Sequence, residues 1–134
     1  MSFFRNLLHA SVLGLPMLSS PASAESFMFS YNTLLSPVDA FNSRGEPLEG
    51  WCALLKQDRA NFHRFNKRDA DDEADPFFNT SERRALMSGK CEVDPRAFKD
   101  PGAQIRSGNR EFYLNVRVYG DGTRVTQITT ADAF

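Results

Sequence analysis

Apolar and semi-apolar positions recur at helical spacing between residues 47 and 66. These positions are Leu48, Trp51, Cys52, Leu55, Phe62 and Phe65. Pro47 suits the first position of a helix, and a cluster of basic residues near the end suits the negative end of the helix dipole. The pattern predicts one long amphipathic helix whose apolar stripe is interrupted by Asp58 and Arg59.

The clearest strand pattern lies near the C-terminus. Four apolar residues alternate there with polar or aromatic ones: Phe112, Leu114, Val116 and Val118 against Tyr113, Asn115, Arg117 and Tyr119. The dipeptide Asp121-Gly122 is typical of a two-residue hairpin turn. Such a hairpin would pair Val118 with Val125 on the core face and Tyr119 with Arg124 on the other face.

Shorter signals complete the predicted fold. Residues 26 to 31 and 37 to 42 favour two short strands, and the Asp-Pro pairs at 94–95 and 100–101 favour two short helical turns. Asn79 and Glu82 fit a capping box for a second helix, with Gly89 as its left-handed stop. We therefore predict an α+β fold, in which a small antiparallel sheet of three or four strands with a C-terminal hairpin packs against one long amphipathic helix and one or two short helices.

The first 24 residues have the pattern of a secretory signal. Arg5 precedes a modest apolar core, and Ala22-Ser23-Ala24 is a small-residue cleavage site before Glu25. The alternative is an apolar N-terminal helix of the fold. We predict a signal peptide at residues 1–24, a single mature domain at residues 25–134, and a periplasmic or secreted product. No later stretch approaches the roughly 18 to 20 apolar residues that span a bilayer, so we expect no membrane insertion after signal removal.

The chain has two cysteines, Cys52 and Cys91. In an oxidising compartment an isolated pair favours one structural disulfide. A redox pair is the weaker alternative because the two are not in a C-x-x-C motif. The predicted disulfide would tie the end of the second helix to the first turn of the long one.

Composition and motifs narrow the function classes. The formal net charge is -1, so the chain lacks the basic character of a nucleic-acid-binding protein. His63 is a candidate general base for a hydrolase, but the G-x-S-x-G and H-E-x-x-H motifs of known hydrolases are absent. We therefore predict a protein that is not an enzyme.

The loop of residues 69–75 carries acids at nearly every second position, namely Asp69, Asp71, Glu73 and Asp75. Oxygen ligands of this kind suit calcium. The EF-hand template, however, requires Gly and Glu where the chain has Ala74 and Thr80. A calcium or small-ligand module is thus one alternative and a solvated loop is the other; no further cofactor is predicted.

The buried stripe of the predicted helix contains charges that need partners. We expect Arg59 to pair with an acid of the following loop. Asp58 would pair with Arg83 or Arg84, or with backbone donors at residues 77 and 78.

The outward face of the predicted hairpin is rich in the residue types that anchor protein interfaces. Its members are Tyr113, Asn115, Arg117, Tyr119 and Arg124. We predict that this face binds another macromolecule of the cell envelope, as an inhibitor, an immunity factor or an accessory subunit would. The sequence predicts neither the identity of that partner nor an oligomeric state.

Overall fold

The computed structural model describes residues 25–92 and 99–133. Its strands are β1 (Ser26–Leu35), β2 (Cys91–Glu92), β3 (Phe112–Gly120) and β4 (Val125–Asp132). Its α-helices are α1 (Trp51–Ala60), α2 (Ser81–Ala85) and α3 (Pro101–Arg106). A 3₁₀ turn covers Pro37–Asp39, and a π-helical turn, Asn61–Phe65, continues α1. The predicted signal segment and the first predicted Asp-Pro turn lie outside the described residues.

The four strands form one mixed sheet in the order β1-β3-β4-β2. The pairs β1 with β3 and β3 with β4 are antiparallel, but β2 runs parallel to β4. The prediction of an antiparallel sheet is therefore wrong at this edge. Strand β2 is reached from the helical side, where Cys91 is bonded to Cys52, and no hairpin connects it to β4.

Helix α1 is shorter than the helix predicted for residues 47–66. Phe41 and Pro47 form an isolated bridge, and the N–H of Leu48 donates to the carbonyl of Ala40 at 2.8 Å. These contacts hold residues 47–48 outside the helix, so α1 begins at Trp51. The long regular helix predicted for residues 47–66 is therefore replaced by α1 and one π-helical turn, which Asn66 ends with a φ of 52°.

The predicted strand at residues 37–42 is also wrong. Pro37 starts the 3₁₀ turn instead, and the Asp39 carboxylate accepts the Ser36 N–H at 3.1 Å. Strand β1, in contrast, is longer than predicted and extends to Leu35.

The hairpin of β3 and β4 forms, but in a different register from the predicted one. Val118 lies opposite Ile128 and Tyr119 lies opposite Gln127, with an irregularity between Tyr119 and Gly120. The carboxylate of Asp121 accepts the N–H groups of both Thr123 and Arg124. It thereby stabilises a four-residue loop in place of the two-residue turn.

The core lies between the inner face of the sheet and the helices. On β3 the alternation predicted from the sequence is confirmed, since Phe112, Leu114, Val116 and Val118 are buried. Other large buried apolar side chains are Tyr31, Leu35, Leu54, Leu55, Phe78, Met87, Ile105 and Ile128. Helix α1 also buries Asp58 and Arg59, so its buried face is not a simple apolar stripe.

Of the two predicted N-caps of the short helices, the one at Asp100 is confirmed and the one at Asn79 is wrong by one residue. Thr80, rather than Asn79, caps α2 by accepting the N–H of Arg83, and Gly89 has the expected positive φ of 73°. Asp100 caps α3 through the N–H of Ala103, as the Asp-Pro signal predicts.

Within the described ranges, none of the helices has the length and apolar character needed to cross a membrane.

The predicted disulfide is confirmed. Cys52 in α1 and Cys91 in β2 are bonded, with their Cα atoms 5.5 Å apart and a sequence separation of 39. The bond fixes the helical layer to the edge of the sheet.

Removing this bond tests its contribution to stability. Replacing Cys52 and Cys91 with Ser should lower the free energy of unfolding by up to about 4 kcal/mol, because the unfolded chain regains the entropy of an open loop. Urea denaturation of the oxidised protein and the variant measures the difference. Reductant should destabilise the parent and leave the variant unchanged; equal stability of parent and variant would contradict the expectation.

Candidate functional site

A buried arginine connects α1, β1 and the acidic loop. The Arg59 side chain is fully buried, and its Nε donates to Asp58 Oδ2 at 2.7 Å. Its Nη1 donates to the Glu73 carbonyl at 2.8 Å and to Asp75 Oδ2 at 3.2 Å. Its Nη2 donates to the Thr33 hydroxyl at 3.0 Å. We call Thr33, Asp58, Arg59 and Asp75 the Arg59 cluster.

Aromatic rings enclose the same guanidinium. Its central carbon lies 4.2 Å from the Tyr31 ring centroid and 4.7 Å from that of Phe62. Cation–π attraction is strongest where water is excluded, so these rings stabilise the buried charge. The Tyr31 hydroxyl is itself buried without a hydrogen-bond partner among the described residues, and burial raises its pKa well above the usual value.

Asp58 of the Arg59 cluster and the nearby Asp39 both have raised pKa values. Burial raises the pKa of Asp58 to about 6, although the charge and hydrogen bond of Arg59 act in the opposite direction. Burial also raises the pKa of Asp39 to about 7, and the neighbouring Asp58 carboxylate adds to the effect. Asp39 accepts hydrogen bonds from the Ser36 N–H and the Asn61 side chain.

The pKa of Asp75 is shifted in the opposite direction, below its usual value. Burial disfavours its charged form, but hydrogen bonds from His63 and from two backbone amides outweigh that effect and hold its pKa below the usual value. The His63 Nε2 lies 2.6 Å from Asp75 Oδ2, and the N–H groups of Phe77 and Phe78 donate to Oδ1 at 2.8 and 2.5 Å. Asp75 therefore remains an anion beside Arg59.

The structure settles the expected partners of the two buried helix charges. The expected pairing of Arg59 with an acid of the loop is confirmed, and that acid is Asp75. The partners expected for Asp58 are wrong. Asp58 accepts from Thr33 and Arg59, while Asp75 takes the backbone donors at residues 77 and 78.

The acidic loop binds the backbone of β1. Glu73 accepts the Asn32 N–H at 2.8 Å and returns its own N–H to the Asn32 carbonyl at 2.9 Å. Asp72 accepts the Leu34 N–H at 2.9 Å and the Thr33 hydroxyl at 3.0 Å. Several of the loop carboxylates are thus bonded to protein groups rather than to water alone.

The four residues predicted as calcium ligands have different surroundings. Asp75 binds Arg59 and His63, Glu73 binds Asn32, Asp71 is exposed, and one Asp69 oxygen is buried without a partner among the described residues. Over residues 25–92 and 99–133, no three His, Cys, Asp or Glu side chains are grouped as a metal ion requires. The calcium alternative gains no supporting contact and stays a prediction.

His63 is the candidate base of the hydrolase alternative, and its Nε2 lies against the Asp75 carboxylate. No hydroxyl or thiol in the described part of the chain is hydrogen-bonded to its Nδ1. A nucleophile for the predicted base is therefore not assigned, and the hydrolase alternative also stays a prediction.

Four of the five residues predicted to bind a partner lie together on the outer face of the sheet. Tyr113, Asn115, Arg117 and Tyr119 point away from the core along β3. Arg124 is separate from them, because it binds Asp121 in the hairpin loop at 2.7 Å. Since β3 lies between β1 and β4, this surface is central in the sheet rather than on an edge hairpin.

The sequence analysis missed Phe27 as a member of this surface. A register shift between Phe27 and Phe29 turns Phe27 to the outer face, opposite Tyr119, while Phe29 packs against the core rings of Phe77 and Phe78. The Phe27 and Tyr119 ring centroids are 5.9 Å apart. Regular alternation along a strand would place Phe27 on the same face as Phe29, and the bulge that separates them leaves no clear mark in a run of apolar residues.

Comparisons of the chain with models of known protein families, with curated proteins and with solved structures found no match. Any functional conclusion therefore depends on the geometry described above.

The Arg59 cluster leads to a stability prediction. Arg59→Met should lower the free energy of unfolding by about 3 to 5 kcal/mol, because it leaves the Asp58 and Asp75 carboxylates buried without their cation. The matched control is Arg44→Met, which breaks an exposed pair with Glu46 and should cost at most about 1 kcal/mol. Urea denaturation of both variants measures these values. Similar losses in the two would show that the buried pairs add nothing special.

The buried carboxyls predict a pH dependence. Asp39 and Asp58 have pKa values raised from 3.8 in the reference state to about 7 and about 6. The folded state thus keeps protons that the unfolded chain releases, and these groups stabilise the fold at low pH and lose that effect as the pH rises from about 4 to about 7. Each such group contributes at most about 1.4 kcal/mol per pH unit.

The variant Asp39→Asn isolates one of these groups. Between about pH 6 and pH 7 the folded state retains more of the Asp39 proton than of the Asp58 proton, so the variant should show a smaller decline in unfolding free energy than the parent over that interval. Urea denaturation at a series of pH values gives both curves. Parallel curves would rule out Asp39 as the source of the dependence.

Proposed function

We propose that this chain is a small exported, non-enzymatic protein that binds another macromolecule of the cell envelope through the outer face of its sheet. We call this surface the sheet-face cluster and define it as Phe27, Tyr113, Asn115, Arg117 and Tyr119. The observation that carries the proposal is that aromatic and arginine side chains from two adjacent strands stand exposed on one side of the sheet.

The composition of the cluster supports binding. Tyr, Phe and Arg supply much of the energy of protein interfaces because they bury large areas and add directed polar contacts. Phe27 is 53% exposed and Tyr113 is 36% exposed, so both retain apolar surface that a partner would cover. They are two of the five large hydrophobic side chains that stay exposed among the described residues.

The cluster is also held in place before binding. The Arg117 guanidinium lies 5.7 Å from the Phe27 ring centroid, on the ring that contacts Tyr119. The Asn115 side chain donates to Asn32 at 2.9 Å. Because strands and neighbouring side chains fix these groups, less side-chain entropy is lost on association.

Export is the second part of the proposal. The N-terminal pattern of an apolar core and an Ala-x-Ala site supports it, and the Cys52–Cys91 disulfide is compatible with it. An envelope location would also bring the sheet-face cluster together with the proposed class of partner.

A capture experiment tests the proposal. The mature, oxidised protein is used as bait in periplasmic extract, and a captured protein is then purified and titrated against the parent and against Arg117→Ala/Tyr119→Ala. We expect the double variant to bind at least about tenfold more weakly, because interface anchors of these types contribute about 2 kcal/mol or more each.

Two controls sharpen this result. Arg44→Ala removes an exposed guanidinium elsewhere and should bind like the parent. Circular dichroism should show both variants folded.

Running the capture with calcium and again with chelator also tests the acidic loop. Undiminished binding by the double variant would eliminate the sheet-face cluster as the interface.

A further inference from the structure

A second surface lies on the helical layer, between the 3₁₀ turn and the end of α1. It is a groove with a volume of about 540 Å³, within the range of small-molecule sites. The lining residues that matter for its chemistry are Val38, Phe41, Gln57, Asn61, Phe65 and Lys67. We call it the Phe41 groove.

The apolar part of the groove remains open to solvent. Val38 is 38% exposed, Phe41 is 40% exposed and Phe65 is 39% exposed. These are three of the five large hydrophobic side chains that stay exposed in the described part of the chain. Large apolar groups gathered in one concave site are more informative than single ones scattered over a surface.

The floor of the groove is polar and fixed. The Asn61 side chain donates to the Val38 carbonyl at 3.2 Å and to Asp39 at 2.9 Å, and its oxygen accepts from Gln57 at 2.9 Å. The π-helical turn that begins at Asn61 ends at Asn66, whose positive φ turns the chain so that the Lys67 N–H reaches the Asn61 carbonyl at 2.9 Å. π-helical turns of this kind occur often at functional sites.

The described lining of the groove carries a positive charge and no negative charge. Lys67 lines it, and its ammonium has no hydrogen bond or ion pair with another described residue. The described lining contains no Asp or Glu. Of the nearby acids, Glu46 is paired with Arg44 at 3.1 Å, and Asp39 lies behind the Asn61 amide. The described lining of the groove therefore combines an apolar wall with the positive charge of Lys67.

We propose that the Phe41 groove binds an amphipathic organic carboxylate, with its aliphatic or aromatic body against Val38, Phe41 and Phe65 and its carboxylate on Lys67. A free aliphatic acid and the C-terminal residue of a peptide share this chemistry. The site is independent of the sheet-face cluster, which lies on the other layer of the fold.

Titration of isotope-labelled mature protein, followed by NMR, tests the proposal. The probes are decanoate for the free acid and acetyl-phenylalanine for the peptide terminus, and acetyl-phenylalanine amide is the uncharged match. We expect saturable shifts at residues 37–45 and 61–67 with at least one of the two anions and weaker binding of the amide than of its acid. Which anion binds more tightly distinguishes the two sources.

Matched variants connect binding to the named side chains. Lys67→Gln should weaken binding of the anion about tenfold, as expected for a lost hydrogen bond to a charged group, whereas Lys56→Gln on the exposed side of α1 should not. Phe41→Ser/Phe65→Ser should abolish binding, and Phe27→Ser in the sheet-face cluster should leave it unchanged. The absence of saturable binding for both anions, or binding that Lys67→Gln or Phe41→Ser/Phe65→Ser does not weaken, would overturn the proposal.

Discussion

The buried guanidinium of Arg59 is the constraint on which the arrangement of the fold depends. A charge without water is stable only when several partners meet it at once. Here those partners come from β1, from α1 itself and from the acidic loop. The position of α1 over the sheet and the path of the loop are therefore set together. Neither can shift without leaving a charge unpaired.

Local patterns predicted the parts of the fold that depend on local chemistry. The alternation of β3, the cap at Asp100 and the pairing of the two cysteines are all readable from neighbouring residues or from simple elimination. The presence of Arg59 in an apolar stripe even indicated a loop acid as its partner. These features follow from periodicity, capping and the cost of burying a charge.

The remaining features depend on contacts that the local pattern of residues does not show. The start of α1 is set by the bridge of Phe41 with Pro47, and the direction of β2 is set where Cys91 joins the helical layer. The hairpin register depends on how the Asp121 carboxylate binds its own loop, which the turn dipeptide alone does not show. The same applies to the two candidate sites, since Phe27 joins the sheet-face cluster through a bulge and the Phe41 groove is assembled from separate segments.

The contacts of Asp72 and Glu73 with β1 have a consequence for the behaviour of the protein in a crowded compartment. An outer strand with free backbone groups is a template on which other chains can add and begin to aggregate. The acidic loop occupies that template at Asn32 and Leu34 and surrounds it with negative charge. A segment whose composition resembles a cation site thus occupies backbone groups of β1 that a fifth strand would otherwise bind.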